Sequence, residues 1–200
     1  MCFFSQLSAV AQTLENRFNA KFENTERYIS GGYNGFQHPE TPVIIHKEPE
    51  KIQLFSWGLI PHWAKDESIR KSTLNARIET IHEKLSFREV VNNRCLVLAD
   101  KFFEWQWLDE KGKKKQKYEA TLAGKIPFAF AGLWSEWRNQ LTGETKHTYT
   151  LLTMSANELM SRIHNSKKRM PVILNPGSES GWLSGKVPEL ANEGLVAVAI

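Results

Sequence analysis

Residues 94–107 read RCLVLADKFFEWQW. RCLVLAD reads as one strand. FFEWQWL, which ends at Leu108, reads as another, and only Lys101 stands between them. The second strand holds one acid, Glu104, among Phe102, Phe103, Trp105 and Trp107. An acid so flanked is expected to lose water, and desolvation raises a carboxyl pKa. Such a group passes protons near neutral pH. The same spacing fits an acid on the exposed face of an edge strand, because alternation turns Glu104 away from Phe103 and Trp105. Both readings stand on the sequence.

Outward from this stretch the chain remains rich in strands. TPVIIHK (41–47), KIQLFSW (51–57), KYEATL (117–122), PFAFAGLWSEW (127–137), HTYTLLTMS (147–155) and MPVIL (170–174) all read as strands. DEKGKKKQK (109–117) reads as a hairpin tip. Its lysines either contact nucleic acid or form a solvated tip that protects a sheet edge. Helical spacing of Val10, Ala11, Leu14 and Phe18 predicts a helix capped by Ser8. A second helix is predicted over 81–93, with Leu85, Val90 and Val91 inward, and a short third over 157–164 with Asn157 as N-cap. ISGGYNGFQHPE (29–40) and GLIPHWAKDES (58–68) read as loops, and STLNARIET (72–80) as an extended segment. The terminal LVAVAI is either a last strand or a truncation. The expected fold is α+β: a single domain over 1–200, with a β-barrel-like mixed sheet and a few short helices.

Composition narrows the function classes. Hydrophobic residues make up 41% of the chain and charged residues 24%, as in ordinary globular proteins. No apolar run approaches a membrane span. No basic-then-apolar export segment opens the chain, so reduced thiols and a cytoplasmic, DNA-associated location are expected. The net charge of +4 is compatible with a phosphate-bearing partner. No CxxC, HExxH or paired-His spacing is present, so no metal and no cofactor are expected. There is no GxSxG elbow and no glycine-rich phosphate loop.

Several polar residues stand in apolar frames: Asn75 and Arg77 in LNARIET, Glu104, and His164 in SRIHNSKKRMPVIL. Cys2 directly follows Met1. Taken in order, Cys2, WGLIPHWAKD, LNARIET, RCLVLADKFFEW, PFAFAGLWSEW and RMPVIL resemble the SRAP (SOS response-associated peptidase) family. The resemblance runs from Cys2 to about Leu174. It implies a protein that recognises abasic sites in single-stranded DNA and joins them covalently through an N-terminal cysteine. The family's active residues fall on Cys2, Asn75, Glu104 and His164. Arg77 falls on a phosphate contact, and Asn34 is counted with the DNA contacts. Trp63, beside Pro61, is expected to stack on a base or wedge at a junction.

The chemistry explains these residue types. An α-amine adds to the open-chain aldehyde of an abasic sugar, and a thiol one carbon away closes a thiazolidine. Both nucleophiles are mostly protonated at neutral pH. Glu104 is therefore expected as the base, His164 as the acid that opens the sugar ring, and Asn75 as an orienting amide. Removal of Met1 is required first, by the protein itself or by an aminopeptidase.

Three departures from the family pattern stand out. The usual Asp-Gly-Phe-Tyr-Glu-Trp is Asp100-Lys101-Phe102-Phe103-Glu104-Trp105 here. Phe3 and Phe4 replace the usual Gly-Arg after Cys2. The usual His-x-Arg-Met-Pro is stretched to His164-Asn165-Ser166-Lys167-Lys168-Arg169-Met170-Pro171, whose inserted Lys167 and Lys168 are expected to replace the lost cation, with Arg169 counted among the DNA contacts. A monomer is expected, with single-stranded abasic DNA as partner and no membrane. Two rival readings are a cysteine peptidase or amidase on other substrates and a non-catalytic nucleic-acid-binding module.

Overall fold

The computed structural model describes residues 2–191 and 194–200. From the N-terminus the regular elements are β1 (Phe4–Leu7), α1 (Ala11–Phe18), β2 (Lys21–Phe22), β3 (Gly31–Asn34), β4 (Glu40–Ile45), β5 (Glu48–Trp57) and β6 (Asn75–Arg77). They continue with β7 (Arg94–Ala99), β8 (Lys101–Trp107), β9 (Lys115–Leu122), β10 (Phe128–Arg138), β11 (Thr145–Ser155), α2 (Glu158–Ile163), β12 (Arg169–Pro171), α3 (Glu179–Leu183) and β13 (Leu195–Ala199). Short 3₁₀ turns fill several of the connections.

Strand pairing closes one sheet on itself. β5 pairs antiparallel with β4, β4 with β7, β7 with β10 and β10 with β11. β11 then returns to β5 in parallel, Thr148 opposite Ser56 and Tyr149 opposite Trp57, and completes a five-stranded barrel. β6 also adds to β11 in parallel, with Asn75 opposite Leu151, so the sheet is mixed. A second sheet runs β13-β9-β8-β1-β3. The architecture is the expected α+β, a mixed barrel-like sheet with a few short helices.

The long apolar runs have a packing reason. β7 lies between two cores: Cys95, Val97 and Ala99 enter one, and Leu96 and Leu98 enter the other. A strand buried on both faces loses the alternation of a half-exposed one. The first core joins the sheets, with Phe102 of β8 edge-on to Phe130 of β10 at 5.8 Å between centroids.

The structure differs from the sequence reading at four places. Residues 81–93 form successive turns rather than an α-helix, as in Phe87 N–H to Lys84 O and Val90 N–H to Phe87 O, both 2.9 Å. The residues that reach the core there are Ile81, Phe87 and Val90, a spacing that makes no helical stripe, and Leu85 is exposed. Residues 31–34 form β3 rather than loop, because β1 supplies an edge with Phe4 opposite Asn34 and Leu7 opposite Gly31. α1 begins at Ala11 with Val10 as N-cap, because the Ser8 and Ala9 N–H groups donate to the Asp100 carboxylate instead. α3 was not expected. Asn157 does cap α2, accepting from Met160 N–H at 2.9 Å. Gly58 ends β5 at φ +109°, where a Cβ would lie 2.8 Å from His38 Nδ1, so only glycine turns the chain there into the loop that carries Trp63.

Candidate active site

Alternation on β8 sends Phe102 and Glu104 inward, and Phe103, Trp105 and Trp107 to the other face. Glu104 is only 4% exposed. It is therefore desolvated by the core it shares with Phe102, not by the aromatic residues adjacent to it in sequence. Burial pushes its carboxyl up to about 7. An acid at that value both gives and takes a proton near neutral pH.

Cys2 precedes β1, which runs antiparallel to β8 with Ser5 opposite Phe102. Its side chain is fully buried in the first core, and Sγ lies 3.7 Å from Phe4 O. Burial, reinforced by the charge of Glu104, drives the thiol pKa far above its ordinary value. The Cys2 carbonyl is fixed by Asn75, whose Nδ2 donates to it at 2.9 Å. Asn75 opens β6, and the preceding Leu74 carbonyl accepts from Trp57 Nε1 at 2.8 Å and from Leu151 N–H at 3.1 Å. Asn75 Oδ1 is buried and has no hydrogen-bond partner among the described residues. A ligand hydroxyl or amine arriving at Cys2 would find that acceptor open.

His164 stands at the C-terminal end of α2, its N–H donating to Met160 O at 2.7 Å. Its Nε2 lies 3.9 Å from Glu104 Oε2. On the other side of the ring, Nδ1 lies 3.1 Å from Arg169 N and 3.0 Å from Arg169 O. Nδ1 thus meets the Arg169 backbone while Nε2 faces the carboxyl. Burial pulls the imidazole pKa down to about 4, so His164 is neutral at physiological pH.

One positioning residue was not singled out in the sequence. Asn165 Oδ1 accepts from Trp107 N–H at 3.0 Å, and its Nδ2 donates to Trp107 O at 2.9 Å. Asn165 thus pairs with β8 as a strand residue would, and it fastens the segment after α2 beside Glu104. Gln106 adds a bond to Arg162 O at 3.0 Å. No local pattern announces such a latch, because its partner is 58 positions away.

The structure thus brings Cys2, Asn75, Glu104 and His164 to one place. The expected DNA contacts differ in exposure and in what holds them. Arg77 is exposed and lies two residues after Asn75 on β6, hence on the same side of that strand. Lys167 and Lys168 are exposed on the segment between His164 and β12. Arg169 is held in place: its guanidinium forks onto Glu79 at 2.7 and 2.9 Å and donates to Thr153 O at 2.7 Å. Asn34 caps a 3₁₀ turn by accepting from Phe36 N–H at 3.1 Å. Trp63 is 45% exposed on a loop whose neighbour Ala64 packs on Trp137. Among the described residues, no three His, Cys, Asp or Glu side chains are grouped to hold a metal, and no helix is long and apolar enough to cross a membrane.

The abasic site processing protein YoqW of Bacillus subtilis is 47% identical over 145 residues, 72% of this chain and 62% of that protein. The abasic site processing protein HMCES of Gallus gallus is 33% identical over 185 residues, 76% of this chain and 53% of that protein. The chain therefore matches less than two thirds of the length of these relatives. A solved structure of a Bacteroides thetaiotaomicron protein superposes with a TM-score of 0.89 at 33% identity, covering 100% of this chain and 92% of that one. The family model described as SOS response associated peptidase (SRAP) matches residues 1–198, and the chain belongs to that family.

Proposed function

We propose that this chain processes abasic sites, capturing them in single-stranded DNA as a thiazolidine on Cys2. The observation that carries the reading is a buried carboxyl with a pKa near 7 beside a buried thiol and an amide with an open acceptor. The relatives named as abasic site processing proteins support the substrate class.

The chemistry requires a free Cys2 amine, hence removal of Met1, a residue outside the described ones. The amine adds to the aldehyde carbon of the ring-opened sugar and gives a carbinolamine. The carbinolamine hydroxyl leaves as water when Glu104, as the acid, supplies a proton, and a protonated imine remains. The thiol then adds through sulfur to the iminium carbon. Its proton passes to the Glu104 carboxylate and restores the acid, and the ring nitrogen keeps the proton it already carries. One water is released overall, and no oxidant is needed. Asn75 holds the Cys2 carbonyl through Nδ2 and offers Oδ1 to the amine or a sugar hydroxyl.

The proton roles differ from those expected of the sequence. An imidazole with its pKa lowered to about 4 is a poor acid at neutral pH, so proton donation falls to Glu104. His164 serves as a neutral partner that orients the carboxyl. Arg77, Lys167 and Lys168 supply phosphate contacts that position the strand without reading its sequence.

The test is a denaturing gel of protein mixed with single-stranded DNA that carries one abasic site. Wild type should give a covalent band stable to heat. Cys2→Ala should give none unless a reductant is added, because an N-terminal alanine stops at the imine. No wild-type band would refute the proposal.

A further inference from the structure

The outward face of the five-stranded sheet carries a second aromatic group that the reaction does not use. On β8, Phe103, Trp105 and Trp107 point there, each half-buried. Across the sheet Phe4 meets Trp105 edge-on, 5.0 Å between centroids at 64°. Phe36 sits 6.4 Å from Phe4 and 4.7 Å from Phe3, and it is 56% exposed. Cross-strand register sets Lys117 opposite Trp105 and Lys115 opposite Trp107. Lys117 Nζ lies 4.3 Å from the centre of the Phe103 ring and 5.9 Å from that of Trp105, and Lys115 Nζ lies 5.6 Å from that of Trp107. Among the described residues neither lysine pairs with a carboxylate, and the face's own acid, Glu119, is matched by Lys101 at 3.2 Å.

We infer that this face is a stacking platform for the undamaged single strand that flanks the captured lesion. The inference rests on the capture reading above and adds a location and a mode. Exposed rings gain from stacking on any base, and unpaired lysines beside them complement the phosphates. The platform is continuous with the reacting residues. Phe3 and Phe4 follow Cys2 directly, and Glu104 lies between Phe103 and Trp105 on one strand. A strand leaving Cys2 therefore reaches Phe36 and Phe4 first.

The probe is a fluorescently labelled oligothymidylate without any lesion, with affinity read by anisotropy. Phe36→Ala and Trp105→Ala should each weaken binding roughly ten- to hundredfold. Phe36→Tyr and Trp105→Phe keep a ring and should bind within a few-fold of wild type, which separates stacking from misfolding. Lys117→Gln should lower the slope of log affinity against log salt by about 0.7. Alanine variants that bind as wild type does would overturn the platform. So would concentration-dependent self-association that Phe36→Ala abolishes, since a second copy would then cover the face. A wild-type covalent band together with unchanged Phe36→Ala affinity would refute the platform and spare the capture reading. Loss of affinity in the alanine variants with no covalent band in wild type would do the reverse.

Discussion

The two faces of β8 are built from the same few residue types and behave oppositely. Inward, Phe102 removes water from Glu104, and the acid titrates near neutrality. Outward, Phe103 and Trp105 keep part of their surface in solvent and hold Lys117 over their rings. A desolvated charge is a reactive group, because its two protonation states lie close in energy at working pH. A cation on an exposed ring is already stabilised and well hydrated, so it can bind but has little to react with. The chemistry of a strand residue follows from which side of the pleat it occupies, more than from its sequence neighbours.

The sharpest way to break the comparison is to remove the inner nucleophile. Cys2→Ala should abolish the stable crosslink while leaving affinity for undamaged strands in place, because the outer face is untouched. Intact-mass analysis should also find active wild-type protein lacking Met1. Next in size is Glu104→Gln, which should slow crosslinking by about 10² to 10⁴-fold, the usual contribution of a general acid or base. Wild type needs a protonated Glu104, near 7, and a neutral amine, near 8. Its rate should peak between about pH 7 and 8. The variant should lose the alkaline limb, so its deficit should shrink as pH rises. A deficit of equal size from pH 5 to 9 would remove Glu104 from the proton path.

The same substitution should act oppositely on stability. Burial raises the Glu104 pKa in the folded state from 4.5 to about 7, so the fold prefers the protonated acid. A raised pKa means stability that is full below about pH 4.5 and lost as pH rises through about 7. The loss should reach about 3 kcal/mol in alkaline solution. Glu104→Gln, which never ionises, should therefore melt higher than wild type at pH 8 and close to it at pH 5. The outer-face variants described above should show no such pH dependence, which makes thermal melts at two pH values a direct readout of the difference between the faces.

How much of this was legible depended on where each residue's partner lies. The runs at 95–99 and 128–134 announced themselves, because strand segments covered on both sides are apolar throughout. Asn157 was readable as a cap, since its partner is three residues away. Residues 81–93 were misread because their apolar positions anchor turns rather than a stripe. β3 was missed because its glycines gain strand structure only from β1, far along the chain. Asn75, Glu104 and His164 stand out locally as polar residues in apolar frames, but their roles and that of Cys2 come from the resemblance. The signal at Glu104 left two readings, because sequence could not say which face of β8 was covered. Arg169 is a free cation by sequence, and Glu79 claims it in the fold.

The smallest expected effect concerns the latch that joins the two sides of the site. Asn165 makes two hydrogen bonds to the Trp107 backbone, and both are exposed to solvent. Hydrogen bonds of this kind contribute about 1 kcal/mol each at most, so Asn165→Ala should lower stability by about 1 to 2 kcal/mol. Its effect on crosslinking should be larger than stability alone explains. Asn165 follows His164 directly, and freeing it lets the imidazole drift from its 3.9 Å approach to Glu104. The rate should fall a few-fold with the position of the pH optimum kept, because the carboxyl remains buried by Phe102 and its neighbours. Asn165→Asp sharpens the test: its carboxylate still accepts from Trp107 N–H but can no longer donate to Trp107 O, so it should retain part of the rate. If Asn165→Ala instead moved the optimum, His164 would be tuning the proton affinity of Glu104 rather than its orientation, and the division of roles drawn here would have to be changed.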